Sequence, residues 1–144
     1  YCEIEATYLV PAGSPVKSLA DVDKPGKRIA CMKGSAYGLW LERNIKQAEL
    51  VWTDSIDSSH AKFLEGGCDA LAGLKPRLIT DAAKLPGSTI IPGRFMAVQQ
   101  AIGTQRRNTA ASAFLEAFVT EAKSSGLVAS LIVKHKVQGL SVAG

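Results

Sequence analysis

Short apolar runs alternate along this chain with stretches in which apolar residues recur every three or four positions. The runs are typical of buried strands, and the longer spacing is typical of one face of a helix. Strands are predicted at 4–10, 28–32, 49–53, 70–74, 89–91 and 96–103. Strands alternating with helices predict an α/β fold, in which a mostly parallel sheet is flanked by helices.

Each predicted helix begins at a residue that suits a helix start. Ser35, Ser55 and Asn108 can each accept a hydrogen bond from a free amide, and Pro76 fits the first helical turn. A fifth helix is predicted at 127–135, after Gly126. The helix that starts at Asn108 carries a clear apolar stripe, formed by Ala111, Phe114, Leu115, Phe118, Val119 and Ala122.

The segment IACMKGSAYGLW, residues 29–40, contains a predicted strand, a tight glycine turn and a helix start. Such a turn leaves backbone amides free at the positive end of a helix dipole, where an anion can bind. An ordinary strand-to-helix connection explains the pattern equally well. The segment by itself therefore leaves both interpretations open.

Ligands of open α/β sheets bind beyond the carboxyl ends of the strands. One predicted strand is followed by Lys33, Gly34, Ser35 and Ala36. Another ends at Leu74, and Lys75 begins the segment after it. If these strands are neighbours, both segments lie at one edge of the sheet. That edge then presents a helix start, a hydroxyl and up to three cations, namely Lys33, Lys75 and Arg77.

Composition excludes several classes of function. With 144 residues and 47% hydrophobic content, the chain suits one domain with a sizeable core, and no apolar run approaches the ~20 residues of a membrane span. Residues 1–93 contain 11 basic and 11 acidic residues and are neutral. Residues 94–144 contain 6 basic and 2 acidic residues and therefore carry the whole net charge of +4. These charges form no dense basic stripe, which argues against nucleic-acid binding.

No catalytic, metal or cofactor motif emerges from the residue spacing, so neither an enzyme nor a cofactor is predicted. His60 and His135 are interpreted as structural, as are Asp69, Trp40 and Trp52. Cys31 is expected to be a buried free thiol, and the redox state of Cys2, Cys31 and Cys68 stays open.

Four segments in order resemble the solute-binding proteins of amino-acid ABC transporters, the two-lobed type II periplasmic family. They are YLVPAGSPVKSLADVDKPGKRIACMKGSAYGLWL, FLEGGCDALAGL, PGSTIIPGRFMAVQQAIGT and KSSGLVASLIVKH. The resemblance implies a lobe-two-like domain at 11–95, with 1–10 and 96–144 as hinge strands and C-terminal helices of an incomplete lobe one. It also implies a periplasmic location, although the N-terminus, which is not a methionine, shows no signal peptide.

The resemblance assigns the ligand carboxylate to Ser35 and to the amides of Ser35 and Ala36. The sequence departs from the family where an aspartate would bind the ligand ammonium, because Gly73 or Leu74 stands there. With Lys33, Lys75 and Arg77 nearby, the expected ligand is a small anion with no required ammonium, bound weakly. Ser35→Ala is expected to weaken that binding without harming the fold.

Three functions stay open at this stage. The first is a solute-binding protein that recognises an anionic or amino-acid-like ligand, with an ABC-transporter permease as a further partner. The second is an enzyme on the same scaffold, resembling cyclohexadienyl or arogenate dehydratases, and the third is a truncated module that acts through self-association. The apolar stripe around Phe114 and Phe118 predicts a homo-oligomer, most simply a twofold dimer with exchanged C-terminal helices. Folding of these helices onto lobe two would instead leave a monomer.

Overall fold

Three parallel strands and their following helices form the part of the fold that carries the predicted site. The computed structural model describes Tyr1–Gly144. In it, β2 (Arg28–Met32), β3 (Glu49–Thr53) and β4 (Ala70–Leu74) lie side by side in the order β3-β2-β4. They are followed by α1 (Ala36–Asn44), α2 (Ile56–Leu64) and α3 (Lys75–Ala82). All three strands have the predicted bounds, and the α/β class with flanking helices is confirmed.

Strand β1 (Cys2–Val10) joins this parallel group from its other side. It pairs antiparallel with β4, and also antiparallel with the short strand β5 (Thr89–Ile90) and with β7 (Leu140–Val142). Strand β6 (Met96–Gln100) pairs with β1 as well. It is shorter than the predicted 96–103, and β7 was not predicted at all.

Capping side chains fix where the helices start. The hydroxyls of Ser35 and Ser55 and the amide oxygen of Asn108 each accept a hydrogen bond from the backbone amide three residues further along. The helix capped by Asn108 is α4 (Thr109–Ser124), and α5 (Leu127–Lys134) follows it. Gly126 separates the two with a φ of 78°, a left-handed conformation that favours glycine.

The loop before β2 is closed by Asp23 rather than by apolar packing alone. A 3-10 helix (Leu19–Asp21) precedes it, and the Asp23 carboxylate accepts hydrogen bonds from the amides of Lys46, Gln47 and Ala48 at 2.7–3.0 Å. These amides follow the C-terminal end of α1, so Asp23 fixes the return from that helix into β3.

The chain divides into two compact units. One unit is the continuous segment 5–97, which contains nearly all of the buried core, including Tyr8, Ile29 and Leu41. The other combines 1–4 with 98–144, and its only buried hydrophobic residues are Cys2, Ala122 and Ala143. The second unit therefore buries no large side chain of its own.

Candidate functional site

Strand pairing brings the two predicted segments to one edge of the sheet. Strands β2 and β4 are parallel neighbours, with Ala30 opposite Leu71. Continuing that register places the residues after β2 beside Leu74, at the end of β4. Strand β3 ends at the same level, since Thr53 is opposite Met32. The carboxyl ends of all three strands, and the starts of α1, α2 and α3, therefore meet at this edge.

The turn between β2 and α1 has its backbone amides free. Gly34 adopts a φ of 75°, and the amides of Ser35 and Ala36 form no hydrogen bond within the protein. Amides in the first turn of a helix lack intrahelical partners and lie at the positive end of its dipole. This turn can therefore accept a carboxylate or a similar small anion.

The Ser35 hydroxyl, in contrast, already makes two hydrogen bonds inside the protein. It accepts a hydrogen bond from the Gly38 amide at 2.9 Å and donates its hydrogen to the Met32 carbonyl at 2.8 Å. The hydroxyl hydrogen is thus not free for a ligand. The hydroxyl therefore acts as the helix cap, and its predicted direct contact with a ligand stays a prediction beside that of the backbone amides.

Gly38 holds this turn in place and was not identified from the sequence. A Cβ atom at this position would lie 2.5 Å from the Met32 carbonyl oxygen and 2.8 Å from the Ser35 hydroxyl. Real Cβ atoms do not come so close to backbone atoms. Gly38 therefore allows helix α1 to pack directly against the end of β2.

The start of α3 differs from the prediction in its charge. Lys75, the first residue of the helix, places its Nζ atom 2.7 Å from an Oε2 of Glu5 on β1. The side chain of Leu74 is partly buried and packs against the core, and its predicted place in the ligand site stays a prediction. Lys75 is therefore neutralised by a carboxylate that the sequence analysis missed.

Arg77 is also neutralised. Its Nε donates to the buried carboxylate of Asp81 at 2.9 Å, and its Nη2 donates to Asp57 at 2.7 Å. The bond from Arg77 lowers the pKa of Asp57. Of the three cations expected at this edge, only the exposed Lys33 lies outside these ion pairs. The predicted preference for an anion without an ammonium group therefore rests on Lys33 among these cations, and it stays a prediction.

Behind this edge lies a cavity of about 30 Å³, enough for a single water molecule but not for a solute. Its lining includes Tyr37, Ser59 and Arg77. Burial raises the pKa of the Tyr37 hydroxyl, which therefore stays protonated at neutral pH. The interior behind this edge therefore has no room for a solute.

The remaining candidate residues have structural roles or none that the site uses. His60 lies beside the Asp81 carboxylate, and its Nδ1, 3.4 Å from Oδ1, makes no hydrogen bond. Asp69 is paired with Lys27 at 2.7 Å, at the opposite edge of the sheet. No group of three or more potential metal ligands is present, and no helix has the length and apolarity to cross a membrane.

All three cysteines are free and buried. Burial raises the pKa of the Cys31 thiol to about 12, and burial also raises the pKa of Cys68. Thiols of this kind stay protonated at neutral pH and are poor nucleophiles.

The fold is that of the substrate-binding proteins of ABC transporters. Three solved structures share it at TM-scores of 0.67 to 0.73 and sequence identities of 15–21%. No protein-family model matches the sequence, and the search of curated proteins finds no match.

The individual structures are amino-acid-binding proteins. The cysteine-binding protein from Campylobacter jejuni has a TM-score of 0.73 at 15% identity, over 93% of this chain and 54% of its own. A mutant of ArgBP from T. maritima has a TM-score of 0.70 at 21% identity, over 92% of this chain and 57% of its own. A substrate-binding protein of an amino acid ABC transporter has a TM-score of 0.67 at 18% identity, over 93% of this chain and 60% of its own. This chain thus spans a little over half the length of each.

Proposed function

We propose that this protein is a solute-binding protein of the ABC-transporter type, which binds a small amino-acid-like molecule and does not convert it. The observation that carries the proposal is the pair of free amides at Ser35 and Ala36, at the carboxyl edge of parallel strands. The likeness in fold to amino-acid-binding proteins supports it.

In this proposal, residues 11–95 act as a lobe-two-like domain, and 1–10 with 96–144 act as hinge strands and C-terminal helices. The ligand carboxylate lies on the amides of Ser35 and Ala36, while Lys33 adds a positive charge from solvent. The periplasm is the proposed place of action and an ABC-transporter permease the proposed partner. Because one lobe offers only part of the contacts of a two-lobed site, the expected Kd is on the order of millimolar.

The test is an NMR titration of the ¹⁵N-labelled full chain with the twenty common amino acids and with acetate. We expect saturable shifts of the Gly34, Ser35 and Ala36 amide signals for acetate and for at least one amino acid. If no compound moves these signals, the solute-binding proposal fails, and a module that acts through self-association becomes the better explanation.

The same samples test the enzyme alternative. The ¹H spectrum of the ligand is recorded again after a day at 25 °C with the protein. A control sample that contains the ligand alone is recorded in the same way. A binding protein leaves that spectrum unchanged. New ligand signals that appear only with the protein would show turnover and contradict the proposal.

A further inference from the structure

We propose that His60 forms a proton-dependent link between helices α2 and α3. When the His60 ring takes up a proton from water, its Nδ1–H donates to the buried carboxylate of Asp81, and this bond ties the two helices together. The link forms in acidic solution and opens as the pH rises. It goes beyond the proposed function, because it responds to protons and not to a solute.

The Nδ1 atom of His60 lacks the partner that a buried polar atom needs. It is shielded from water and makes no hydrogen bond, although Oδ1 of Asp81 lies 3.4 Å away. A buried polar atom that is left without a partner costs free energy. A small movement of the ring brings Nδ1 within the roughly 2.7–3.2 Å of an N–H···O hydrogen bond. A positive charge on the ring favours that movement.

Asp81 has less positive charge around it than its position requires. Its side chain retains 3% of its exposure, and it lies in the last turn of α3, which contains no basic residue. The negative end of a helix dipole is unfavourable for a carboxylate, and a buried carboxylate requires a paired charge. Arg77 supplies one positive charge, but Asp57 shares it. A protonated His60 supplies a second one.

The other titratable groups around the ring do not supply this charge. Burial raises the pKa of Tyr37, which lines the cavity beside Asp81, and of the Cys68 thiol, so both groups stay neutral near pH 7. Lys62 of α2 is paired with Glu65. The strands that pack against α2 contribute uncharged side chains to the shared apolar cluster, namely Ala30, Val51 and Leu71.

The nearby charged groups already respond to the histidine. The pKa of Asp57 is lowered first by the hydrogen bond and the charge of Arg77, with smaller contributions from the charges of His60 and Lys84. Asp57 is exposed, so water screens these effects. Asp81 is buried and lies closer to the ring, so a charge on His60 acts more strongly there.

Protons can reach the ring from water. The His60 side chain retains 16% of its exposure even though Nδ1 is shielded, so another part of the side chain meets solvent. Histidine is the side chain whose charge ordinarily changes between about pH 5 and pH 8. A positively charged ring has a hydrogen on both nitrogens, so uptake of one proton makes Nδ1 a donor whichever nitrogen carried the first hydrogen.

The link adds a polar bond to an apolar contact. Helices α2 and α3 pack on the same face of the sheet, where Phe63 and Leu78 belong to one apolar cluster. Both helices begin at the carboxyl edge of the parallel strands. A bond between His60 and Asp81 therefore strengthens the packing behind that edge, whether or not a solute is present.

The test compares four full-length proteins by urea denaturation between about pH 8 and pH 5.5, without any solute. The proteins are the wild type, His60→Gln, Asp81→Asn and the control His135→Gln. His135 is the only other histidine of the chain, and it is exposed at the end of α5 in the other unit. The control therefore removes a histidine that the proposal does not involve.

We expect the unfolding equilibrium constant of the wild type to fall by about fivefold from pH 8 to pH 5.5, because a folded chain that binds more protons than the unfolded chain gains stability as the pH falls. His60→Gln and Asp81→Asn should lose this gain, and His135→Gln should keep most of it. Ring spectra of the ¹⁵N-labelled wild type at pH 5.5 should show a slowly exchanging Nδ1–H for His60 and none for His135. That measurement needs no variant to fold.

Several results would overturn the proposal. They are a wild-type stability that stays level or falls over this range, an unchanged pH response in His60→Gln, and an equal loss of the response in His135→Gln. A response that persists in Asp81→Asn would show that the carboxylate does not hold the proton, and absence of the protected Nδ1–H would show that no link forms. None of these measurements contains a solute, so this proposal and the solute-binding proposal fail separately.

Discussion

At the residue scale, Ser35 is confirmed as the cap of α1, while its predicted contact with a ligand stays a prediction. Its place before the helix predicted the cap, and the hydroxyl does accept the Gly38 amide. The hydrogen that the hydroxyl donates to the Met32 carbonyl could not be predicted, because that bond depends on how closely the turn folds back on β2.

The Ser35→Ala variant should accordingly lose stability before it loses ligand. Removing an N-cap hydroxyl costs about 1 kcal/mol of unfolding free energy. We expect urea denaturation to show that loss, while the acetate affinity of the folded variant stays within about twofold of the wild type. A large loss of acetate affinity with unchanged stability would restore the hydroxyl as a ligand contact.

The two glycines of this turn should respond differently to alanine. Gly34→Ala meets open space but a φ of 75°, so we expect a loss of about 1 kcal/mol. Gly38→Ala meets the Met32 carbonyl at 2.5 Å, and relieving this overlap by shifting α1 should cost about 1–3 kcal/mol.

Urea denaturation of both variants checks this order, and amide spectra show where each perturbs the protein. We expect Gly38→Ala to shift signals along α1 and Gly34→Ala to shift only the turn. If Gly34→Ala were the more destabilised variant, the close approach of α1 to β2 would be wrong.

At the element scale, the sequence predicted best where strand and turn signals coincide. Strands β2, β3 and β4 each combine a short apolar run with a following cap or turn, and all three have the predicted bounds. Strand β7 has only three residues, and pairing with Cys2–Ile4 at the far end of the chain makes it a strand. No local pattern carries that information.

The same reasoning explains why the ion pair between Glu5 and Lys75 was missed. Glu5 could have been noticed as an acidic residue within an apolar hinge strand, but its pairing with Lys75 depends on β1 lying beside β4. Lys75 and Arg77 were expected to be available cations because sequence shows charge without showing partners. Their neutralisation is a consequence of tertiary contacts.

The Asp23 loop should make the stability depend on pH. Burial alone would raise the pKa of this carboxyl, but the amides of Ala48, Gln47 and Lys46 and the charge of Lys24 lower it by more. A lowered folded-state pKa gives stability that is present above the unfolded pKa of about 3.9 and is lost as the pH falls through the folded value.

We therefore expect the contribution of Asp23 to the unfolding free energy to be constant between pH 7 and about pH 5. It should then decrease as the pH is lowered beyond about 4. Asp23→Asn should be less stable at pH 7, and its stability should fall less steeply on acidification. Urea denaturation from pH 3 to 7 measures both. Parallel curves for the two proteins would show that Asp23 is not the titrating group.

At the scale of the whole molecule, the unit formed by 1–4 and 98–144 leaves its apolar side chains exposed. Phe114 is 67% exposed and Val133 76%, and the rings of Phe114 and Phe118 stack on one another at 6.2 Å. Exposed apolar patches of this kind are typical of protein–protein contacts. The dimer predicted from the sequence remains our proposal for what covers them.

Light scattering coupled to size exclusion tests that proposal at micromolar concentration. We expect a particle of about twice the 15.2 kDa chain mass, and Phe118→Asp should dissociate it without loss of helical circular dichroism. Leu39→Asp is the control, since Leu39 is exposed to a similar degree on α1 in the other unit. A wild-type particle of 15.2 kDa would rule the dimer out.

The division of the chain also has a consequence for how such a protein can be rearranged. Residues 5–97 form one uninterrupted segment with its own core, and both its ends lie on paired strands, where the Phe95 amide donates to the Ala6 carbonyl at 3.0 Å. A segment that enters and leaves at neighbouring points can be cut out or inserted as a single stretch of coding DNA. The segment that carries the proposed binding site can thus be moved as one unit, and recombination can insert it between the strands of a different host domain.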